Sequence, residues 1–321
     1  MRRIFILGMI GLFIIIFGSS AWAQKSVRFS IATGPTGGVY YPMGGGMANI
    51  LSKYIPYLEV TVEVTAASVD NCLLIGREKV ALALIMADVG LDAYQGVRRF
   101  KEKVPLRTVF AFYPNNQHIV TLEGKGIEKV SDLRGKRVST GAPGSGTEVK
   151  ALRVLEAYGL DPDKDMTRDR LTPTESAGAL KDRKIDAFFW DGGLPTASVT
   201  DLAATPGIKI KLIGHEDAIP KMREKYGPIY VKGIIPAKTY PGQDVDVPMA
   251  VVWNILVCHE KMKGDVVYDM VKTLFDHKPE LVATHRDARY LSLETQTTGA
   301  SPYPFHPGAI RYFTEKGLKI K

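Results

Sequence analysis

The segment GAPGSGTEVKALRVLEAYGL, residues 141–160, joins a glycine-rich turn to a helical pattern. A β-rich run at residues 137–140 precedes it, so the local order is strand, glycine-rich turn and helix start. Turns of this kind lie at the carboxyl ends of sheet strands, where open α/β sheets bind ligands. The first N–H groups of a helix lack intrahelical partners, and the helix dipole favours an anion beside them. The segment therefore predicts an α/β fold with an anion-binding turn.

A second turn of the same kind follows the predicted strand at residues 27–33, in the sequence GPTGGVYYP of residues 34–42. Neither turn carries an enzyme signature. Thr147 stands where a P-loop has its lysine, and Pro143 and Thr147 flank Ser145 where a hydrolase elbow needs glycines. Tight packing of strand against helix is the alternative reason for each turn.

Short β-rich runs alternate with helical patterns along the chain, which indicates α/β architecture with largely parallel sheets. The predicted strands are residues 27–33, 59–65, 80–85, 106–112, 118–122, 137–140, 185–190, 208–213 and 251–258. The predicted helices are residues 43–54, 68–78, 89–94, 147–158, 174–183, 194–202 and 263–275.

Two irregular stretches suggest where the chain changes domain. Tyr113-Pro114-Asn115-Asn116 interrupts the first series of strands, and a stretch rich in Pro and Gly occupies residues 234–248. We therefore predict one lobe from residues 27–115 plus 249–321 and a second from residues 116–248. Two strand crossings would then form a hinge, with a ligand cleft between the lobes.

The first 23 residues have the pattern of a secretory signal peptide. Arg2 and Arg3 precede an apolar run at residues 4–17, and Ala21-Trp22-Ala23 forms a small-residue cleavage site. We expect cleavage after Ala23 and export to the periplasm; a retained signal anchor is the alternative.

Composition argues against several other classes of protein. The 42 Lys and Arg against 34 Asp and Glu give a net charge of +8, but bases and acids are interleaved, so nucleic acid is not the expected partner. Cys72 and Cys258 lie in apolar segments and are expected to be buried thiols rather than a disulfide. The six histidines show no metal-ligand spacing, and we expect neither a metal nor a cofactor.

Further polar and aromatic residues follow other predicted strands. Ser68 and Asn71 follow one strand, Asp88 follows another, and Trp190 and Asp191 end a third. Each is a candidate ligand contact. Ser68 and Asp88 also suit a helix N-cap, and the tyrosines of the second turn suit ordinary packing.

Six ordered motifs resemble the TAXI family (TRAP-associated extracytoplasmic immunogenic proteins), the solute receptors of TRAP transporters. They are IATGPTGGVYYPMGGGMANIL, AASVDNCLLI, ALALIMADVGLDAYQG, VSDLRGKRVSTGAPGSGTEV, LKDRKIDAFFWDGGLPTASV and FHPGAIRYFTEKG. The resemblance implies a type II periplasmic-binding-protein fold that closes around a small ligand. It also implies a monomer, without enzyme activity, that delivers a small organic carboxylate to a TRAP integral-membrane permease.

The resemblance also implies which residues bind the ligand. These are Thr36, Gly37, Tyr40, Tyr41, Ser68, Asn71, Asp88, Gly144, Ser145, Gly146, Thr147, Asp191 and Pro195. Trp190, which ends a strand beside Asp191, completes the set of candidate ligand contacts. Met86-Ala87 stand where relatives commonly have glutamine and serine, and Trp190-Asp191 add an aromatic wall and a carboxylate. We therefore expect a ligand whose far end is apolar or aromatic, or carries a donor that meets Asp191.

Two other functions stay open at this stage. The chain could be the substrate-binding protein of an ABC importer for an oxyanion or sulfonate. It could also be an exported hydrolase that uses Ser145 or Asp191 with a histidine, although no nucleophile and base lie near each other in the sequence.

Overall fold

The computed structural model describes residues 26–320. Its strands are β1 (Val27–Ala32), β2 (Leu58–Glu63), β3 (Leu82–Met86), β4 (Leu106–Leu122), β5 (Arg137–Ser139), β6 (Thr167–Asp169), β7 (Ala187–Gly192), β8 (Ile210–Leu212), β9 (Val231–Ile235) and β10 (Val247–His259). Its α-helices are α1 (Tyr40–Tyr54), α2 (Ser68–Gly76), α3 (Ala87–Gln95), α4 (Gly146–Ala157), α5 (Pro173–Lys181), α6 (Ala197–Ala203), α7 (Ile219–Tyr226), α8 (Gly264–Asp276), α9 (Lys278–Thr284) and α10 (Pro307–Glu315).

All ten strands belong to one sheet, in the order β2-β1-β3-β10-β4-β7-β5-β6, with β8 beside β4 and β9 beside β10. The outer strands on each side pair in parallel, β1 with β2 and β3, and β5 with β6 and β7. The central strands β4 and β10 are antiparallel to each other and to β3 and β7. The sheet therefore has two parallel halves, each the centre of one α/β lobe.

The two central strands connect the lobes. β4 has 17 residues and β10 has 13, so each is long enough to run from one half of the sheet into the other. These strands form the two-strand hinge that the sequence predicts. The exact residues at which one lobe gives way to the other stay a prediction.

The predicted interruption of the strand at residues 113–116 is wrong, because β4 continues through it, whereas the change of domain near Asn115 stays a prediction. Pro114 lies opposite Trp253 of β10, and the register shifts between Trp253 and Ile255. A proline has no N–H to donate to the neighbouring strand, and the pairing of β4 with β10 is therefore irregular at this point.

Three hydrophobic clusters hold the fold together. One covers the α1, α8 and α10 side of the first lobe, and another covers the α5 and α6 side of the second. The third is shared, because Ile85 and Met86 of the first lobe belong to the same buried cluster as Val149 and Phe189 of the second. The lobes are therefore packed against each other on this face of the sheet.

The two cysteines are free and buried, as predicted, and they belong to different clusters. None of the helices between residues 26 and 320 combines the length and apolar character needed to cross a bilayer. The predicted signal peptide, residues 1–23, lies outside the described residues.

Candidate functional site

A cavity lies between the lobes, where strands of both halves end. Its walls are the turns after β1 and β2 and the end of β3 in the first lobe, the turns after β5 and β6 and the end of β7 in the second, and the crossing part of β4. Its volume is about 30 Å³. An engineered cavity that admits benzene has roughly 150 Å³, so in this closed arrangement the lobes must separate before an organic ligand enters.

The start of α4 gives the cavity its hydrogen-bond donors. Ser145 caps the helix: its Oγ accepts from the amide of Glu148 at 3.0 Å and donates to the carbonyl of Ala142 at 2.7 Å. The amides of Gly146 and Thr147 have no acceptor within residues 26–320, and both residues line the cavity. Two free N–H groups at a helix start therefore face the space where a ligand would lie.

Two glycines allow the lobes to approach each other here. A Cβ atom on Gly146 would lie 2.3 Å from Sδ of Met86 and 2.7 Å from Oγ of Ser68, both in the first lobe. A Cβ atom on Gly38 would lie 2.7 Å from the ring of Trp190 in the second lobe. The closed cavity therefore requires bare backbone at both turns.

An ion pair lies behind the cavity wall. Lys150 Nζ is 2.8 Å from Asp191 Oδ1, and neither side chain is exposed. The same Nζ donates to the carbonyls of Ala250 at 2.9 Å and Asn115 at 3.4 Å, and Gln117 Nε2 donates to Asp191 Oδ2 at 3.0 Å. Burial raises the pKa of Asp191 to about 6, although Lys150 opposes the rise.

A second charged cluster joins the lobes beside the cavity. Arg153 of α4 reaches across to Asp88, at 3.3 Å, and to Asp92, both of α3. Tyr230 of the second lobe donates to Asp88 Oδ2 at 2.8 Å and accepts from Arg153 at 2.7 Å. All four residues are buried, so this cluster is formed only when the lobes are together.

The rest of the wall is aromatic, with two polar atoms that have no partner. Tyr40, Tyr113 and Trp190 line the cavity. The Tyr40 hydroxyl donates to Asn254, and the Trp190 indole N–H donates to Thr196 at 2.9 Å. By contrast, the Tyr113 hydroxyl and Asn115 Oδ1 are buried and unpartnered within the described part of the chain.

Half of the fourteen candidate ligand contacts line this cavity. They are Tyr40, Ser68, Ser145, Gly146, Thr147, Trp190 and Asp191. The others, Thr36, Gly37, Tyr41, Asn71, Asp88, Gly144 and Pro195, lie outside it. The role of all fourteen in binding stays a prediction.

The residues outside the cavity have other contacts. Asn71 donates to the carbonyls of Thr33 and Leu84 and accepts from Thr65, so its carboxamide is fully used inside the first lobe. The carbonyl of Gly144 accepts from two amides of α2 and thereby joins the lobes. Tyr41 is 36% exposed.

Four residues at or beside the site were not predicted from the sequence: Lys150, Arg153, Tyr113 and Asn115. A signal for the first two was present, because both are charged residues on the helix whose start was predicted to bind an anion. Nothing in the sequence pointed to Tyr113 and Asn115, which lay in the predicted interdomain break.

Comparison with known proteins gives a family and a fold. The family model described as "NMT1-like family" matches residues 31–317. A putative L-cystine ABC transporter protein from Listeria monocytogenes has a TM-score of 0.50 and 13% identity, over 84% of this chain and 98% of that one. The alkanesulfonate-binding protein from Xanthomonas axonopodis pv. citri, bound to MOPS, has a TM-score of 0.48 and 16% identity, over 91% and 85%.

The periplasmic aliphatic sulphonate binding protein from Escherichia coli has a TM-score of 0.46 and 13% identity, over 89% of this chain and 78% of that one. The predicted fold, a type II periplasmic-binding-protein fold of two α/β lobes with a cleft, is confirmed by the sheet topology and by the similarity in fold to the Listeria protein.

The family comparison contradicts the expected TAXI membership, and with it the TRAP permease as partner and the organic acid as ligand, because the matching family model is the NMT1-like one. The physical reason for the error is that the quoted motifs are mostly glycine turns and strand ends, which the fold itself requires. Because the model matches nearly the whole chain, the protein belongs to the NMT1-like family.

Proposed function

We propose that this protein is the substrate-binding component of an ABC importer and captures a small molecule with an oxyanion head group. The observation that carries the proposal is the pair of unpartnered amides, Gly146 and Thr147, in a closed cleft between two lobes. Backbone N–H groups at a helix start bind anionic oxygens well, since the helix dipole adds to the hydrogen bonds.

The charges around the cleft favour a head group with a single negative charge. Lys150 already donates to three acceptors, and Arg153 is held by Asp88, Asp92 and Tyr230. Neither cation is left to neutralise a second charge on a ligand. A sulfonate, or the carboxylate of an amino acid, therefore suits the cleft better than a phosphate dianion.

The same geometry supports binding rather than catalysis. The hydroxyl of Ser145, the nucleophile of the hydrolase alternative, donates to a backbone carbonyl and serves as a helix cap. Within residues 26–320 its hydrogen-bond partners include no histidine. It thus lacks the adjacent base that would activate it.

The proposal also covers the transporter partners, the cellular location and the residues that contact the ligand. Similar structures are named as components of ABC transporters, and on that analogy the partners are an ABC permease with its ATPase. The protein would work in the periplasm after cleavage behind Ala23. Of the predicted site residues, we assign ligand contacts to those that line the cavity, except Asp191, whose carboxylate is unexposed and bonded to Lys150 and Gln117.

A thermal-shift experiment tests the proposal. Residues 24–321 are unfolded and refolded to remove carried ligand, then screened against alkanesulfonates, amino acids, sulfate and phosphate. A ligand at a hundredfold excess over its Kd stabilises the folded form by about 2.7 kcal/mol. A shift with a monoanionic compound is expected. No shift with any compound, or a shift with phosphate alone, would contradict the proposal.

The importer assignment needs a second readout. Proteoliposomes that contain the candidate ABC permease and ATPase should hydrolyse ATP faster when the liganded protein is added. Equal rates of ATP hydrolysis with and without the protein would contradict the ABC transporter as partner, whereas the ligand identified by thermal shift would still stand.

A further inference from the structure

Two buried polar groups in the cavity wall lack hydrogen-bond partners. The Tyr113 side chain is not exposed and Asn115 is 1% exposed, yet the Tyr113 hydroxyl and Asn115 Oδ1 have no partner within residues 26–320. Buried polar atoms in native proteins are nearly always paired, so each such exception calls for an explanation. A ligand group that completes these hydrogen bonds is the explanation we pursue.

The backbone around both residues is firmly held. The Tyr113 carbonyl accepts from Asn254 Nδ2 at 3.2 Å, and the Asn115 carbonyl accepts from Lys150 Nζ at 3.4 Å. Both residues lie on β4, where Asn115 pairs with β10 and Tyr113 lies at the register shift described above. Both are strand residues, so a loose loop does not account for the missing partners.

The surroundings of Tyr113 and Asn115 favour a positive group. Aromatic rings of Tyr40 and Trp190 line the same cavity, and ring faces attract cations. Asp191 lies in the same wall, with its carboxylate bonded to Lys150 and Gln117 and its side chain unexposed. Asp191 thus acts on a ligand through its electrostatic field rather than by direct contact.

The donor groups at the start of α4 line the same cavity. Lys150, on the same helix as Gly146 and Thr147, donates to the Asn115 carbonyl at 3.4 Å, so α4 lies close to Asn115. A ligand that bridges the α4 amides and the side chains of Tyr113 and Asn115 therefore needs only a short spacer.

Resting on the proposed function, we propose that Tyr113 and Asn115 bind a protonated amino group of the ligand, which is therefore a short zwitterion with an oxyanion head. Asn115 Oδ1 and the Tyr113 oxygen accept N–H bonds from the ammonium group. The α4 amides of Gly146 and Thr147 hold the oxyanion. An aminoalkanesulfonate and a small amino acid share this chemistry.

Matched ligands test the amino group without any mutation. Calorimetry compares 2-aminoethanesulfonate with ethanesulfonate and 2-hydroxyethanesulfonate, and 3-aminopropanoate with propanoate. We expect the amino compound of at least one series to bind about tenfold or more tightly than its amine-free analogues. The series that binds shows whether the head group is a sulfonate or a carboxylate.

A matched pair of variants tests the residues. Tyr113→Phe removes only a hydroxyl that has no partner, so the free protein should melt at the same or a higher temperature. Its affinity for the amino ligand should fall about tenfold, with the amine-free analogue unaffected. Tyr303→Phe is the control, because the Tyr303 hydroxyl is equally buried and unpartnered but does not line the cavity.

The outcomes separate this inference from the proposed function. Equal affinity for the amino and amine-free compounds, or for the amino and hydroxy compounds, overturns the amine assignment while leaving oxyanion binding in place. Unchanged affinity in Tyr113→Phe overturns the role of Tyr113. No binding by any of these compounds overturns both the proposed function and this inference.

Discussion

Lys150 Nζ and Asp191 Oδ1 are 2.8 Å apart, in a pair from which solvent is excluded on both sides. The pair ties α4, whose start forms the donor end of the cleft, to β7, whose end forms the aromatic wall. Fixing these two elements relative to each other keeps the second-lobe wall of the cavity in one shape.

Replacing Lys150 by Met should destabilise the protein by about 3–5 kcal/mol, because Asp191 is left buried without its partner. Replacing both residues, with Asp191→Asn added, should recover part of that loss. Urea unfolding of residues 24–321 measures the free energies of unfolding in a double-mutant cycle. Additive effects of the two changes would show that the pair has no coupling.

Protonation of His118 and His215 should destabilise the protein as the pH falls. Burial lowers the pKa of His118 to about 4 and that of His215 to about 3, whereas an unfolded histidine titrates near 6.5. Their stabilising contribution is therefore present above pH 6.5 and is lost as the pH falls towards those values. For His118 alone the full loss is roughly 3 kcal/mol.

Asp191 opposes this trend. Because burial raises its pKa, Asp191 makes a stabilising contribution to folding that is present below pH 3.8 and is lost as the pH rises through about 6. Its shift is smaller than the two histidine shifts combined, so the net effect is acid destabilisation. Melting temperatures between pH 7 and 4 measure it, and His118→Gln should flatten the curve. An identical curve for the variant would contradict this account.

The Arg153 cluster should hold the lobes together. In Arg153→Gln, Asp88 and Asp92 lose their cation from the opposite lobe, and opening the cleft lets both carboxylates reach water. We expect a larger radius of gyration for the ligand-free variant in small-angle scattering. Arg98→Gln is the matched control, because Arg98 also pairs with Asp92, at 2.7 Å, but lies in the same lobe. Equal radii for both variants would contradict the assignment.

Gly146→Ala should weaken ligand binding more than it weakens the fold. The new methyl group would meet Met86 and Ser68 across the cleft, so closure is hindered while each lobe stays intact. We expect about a tenfold loss of affinity for the ligand found by thermal shift, which corresponds to about 1.4 kcal/mol.

Gly178→Ala serves as its control, since a Cβ atom at this other helical glycine would meet nothing within 4 Å. If Gly146→Ala and Gly178→Ala lose affinity equally, hindered closing of the cleft is not the cause of the loss.

Sequence patterns predicted most of the fold because each lobe is built from local strand, turn and helix units. The helix predicted at residues 147–158 is observed as Gly146–Ala157, and the strand predicted at residues 251–258 lies within β10. The short strands β6 and β9 escaped prediction. β6 has three residues, and β9 has a mostly exposed face and continues into the stretch rich in Pro and Gly, so neither shows a buried-strand pattern.

Only half of the candidate site could be predicted, because sequence locates strand ends but not the direction in which their side chains point. Ser68 and Asn71 lie three residues apart on α2, yet Ser68 lines the cavity while Asn71 bonds to backbone carbonyls inside the first lobe. The packing of the helix, which the sequence does not show, decides which of the two side chains reaches the cavity.

The turns follow from local sequence, because the first amides of a helix lack intrahelical acceptors and the glycines before it leave room for close approach. What those amides meet depends on the packing of the two lobes. Lys150 meets Asp191, Arg153 meets Asp88, and Tyr113 lines the cleft only because β4 crosses between the lobes and brings distant segments together. Long-range strand pairing sets those distances, and no local pattern encodes them.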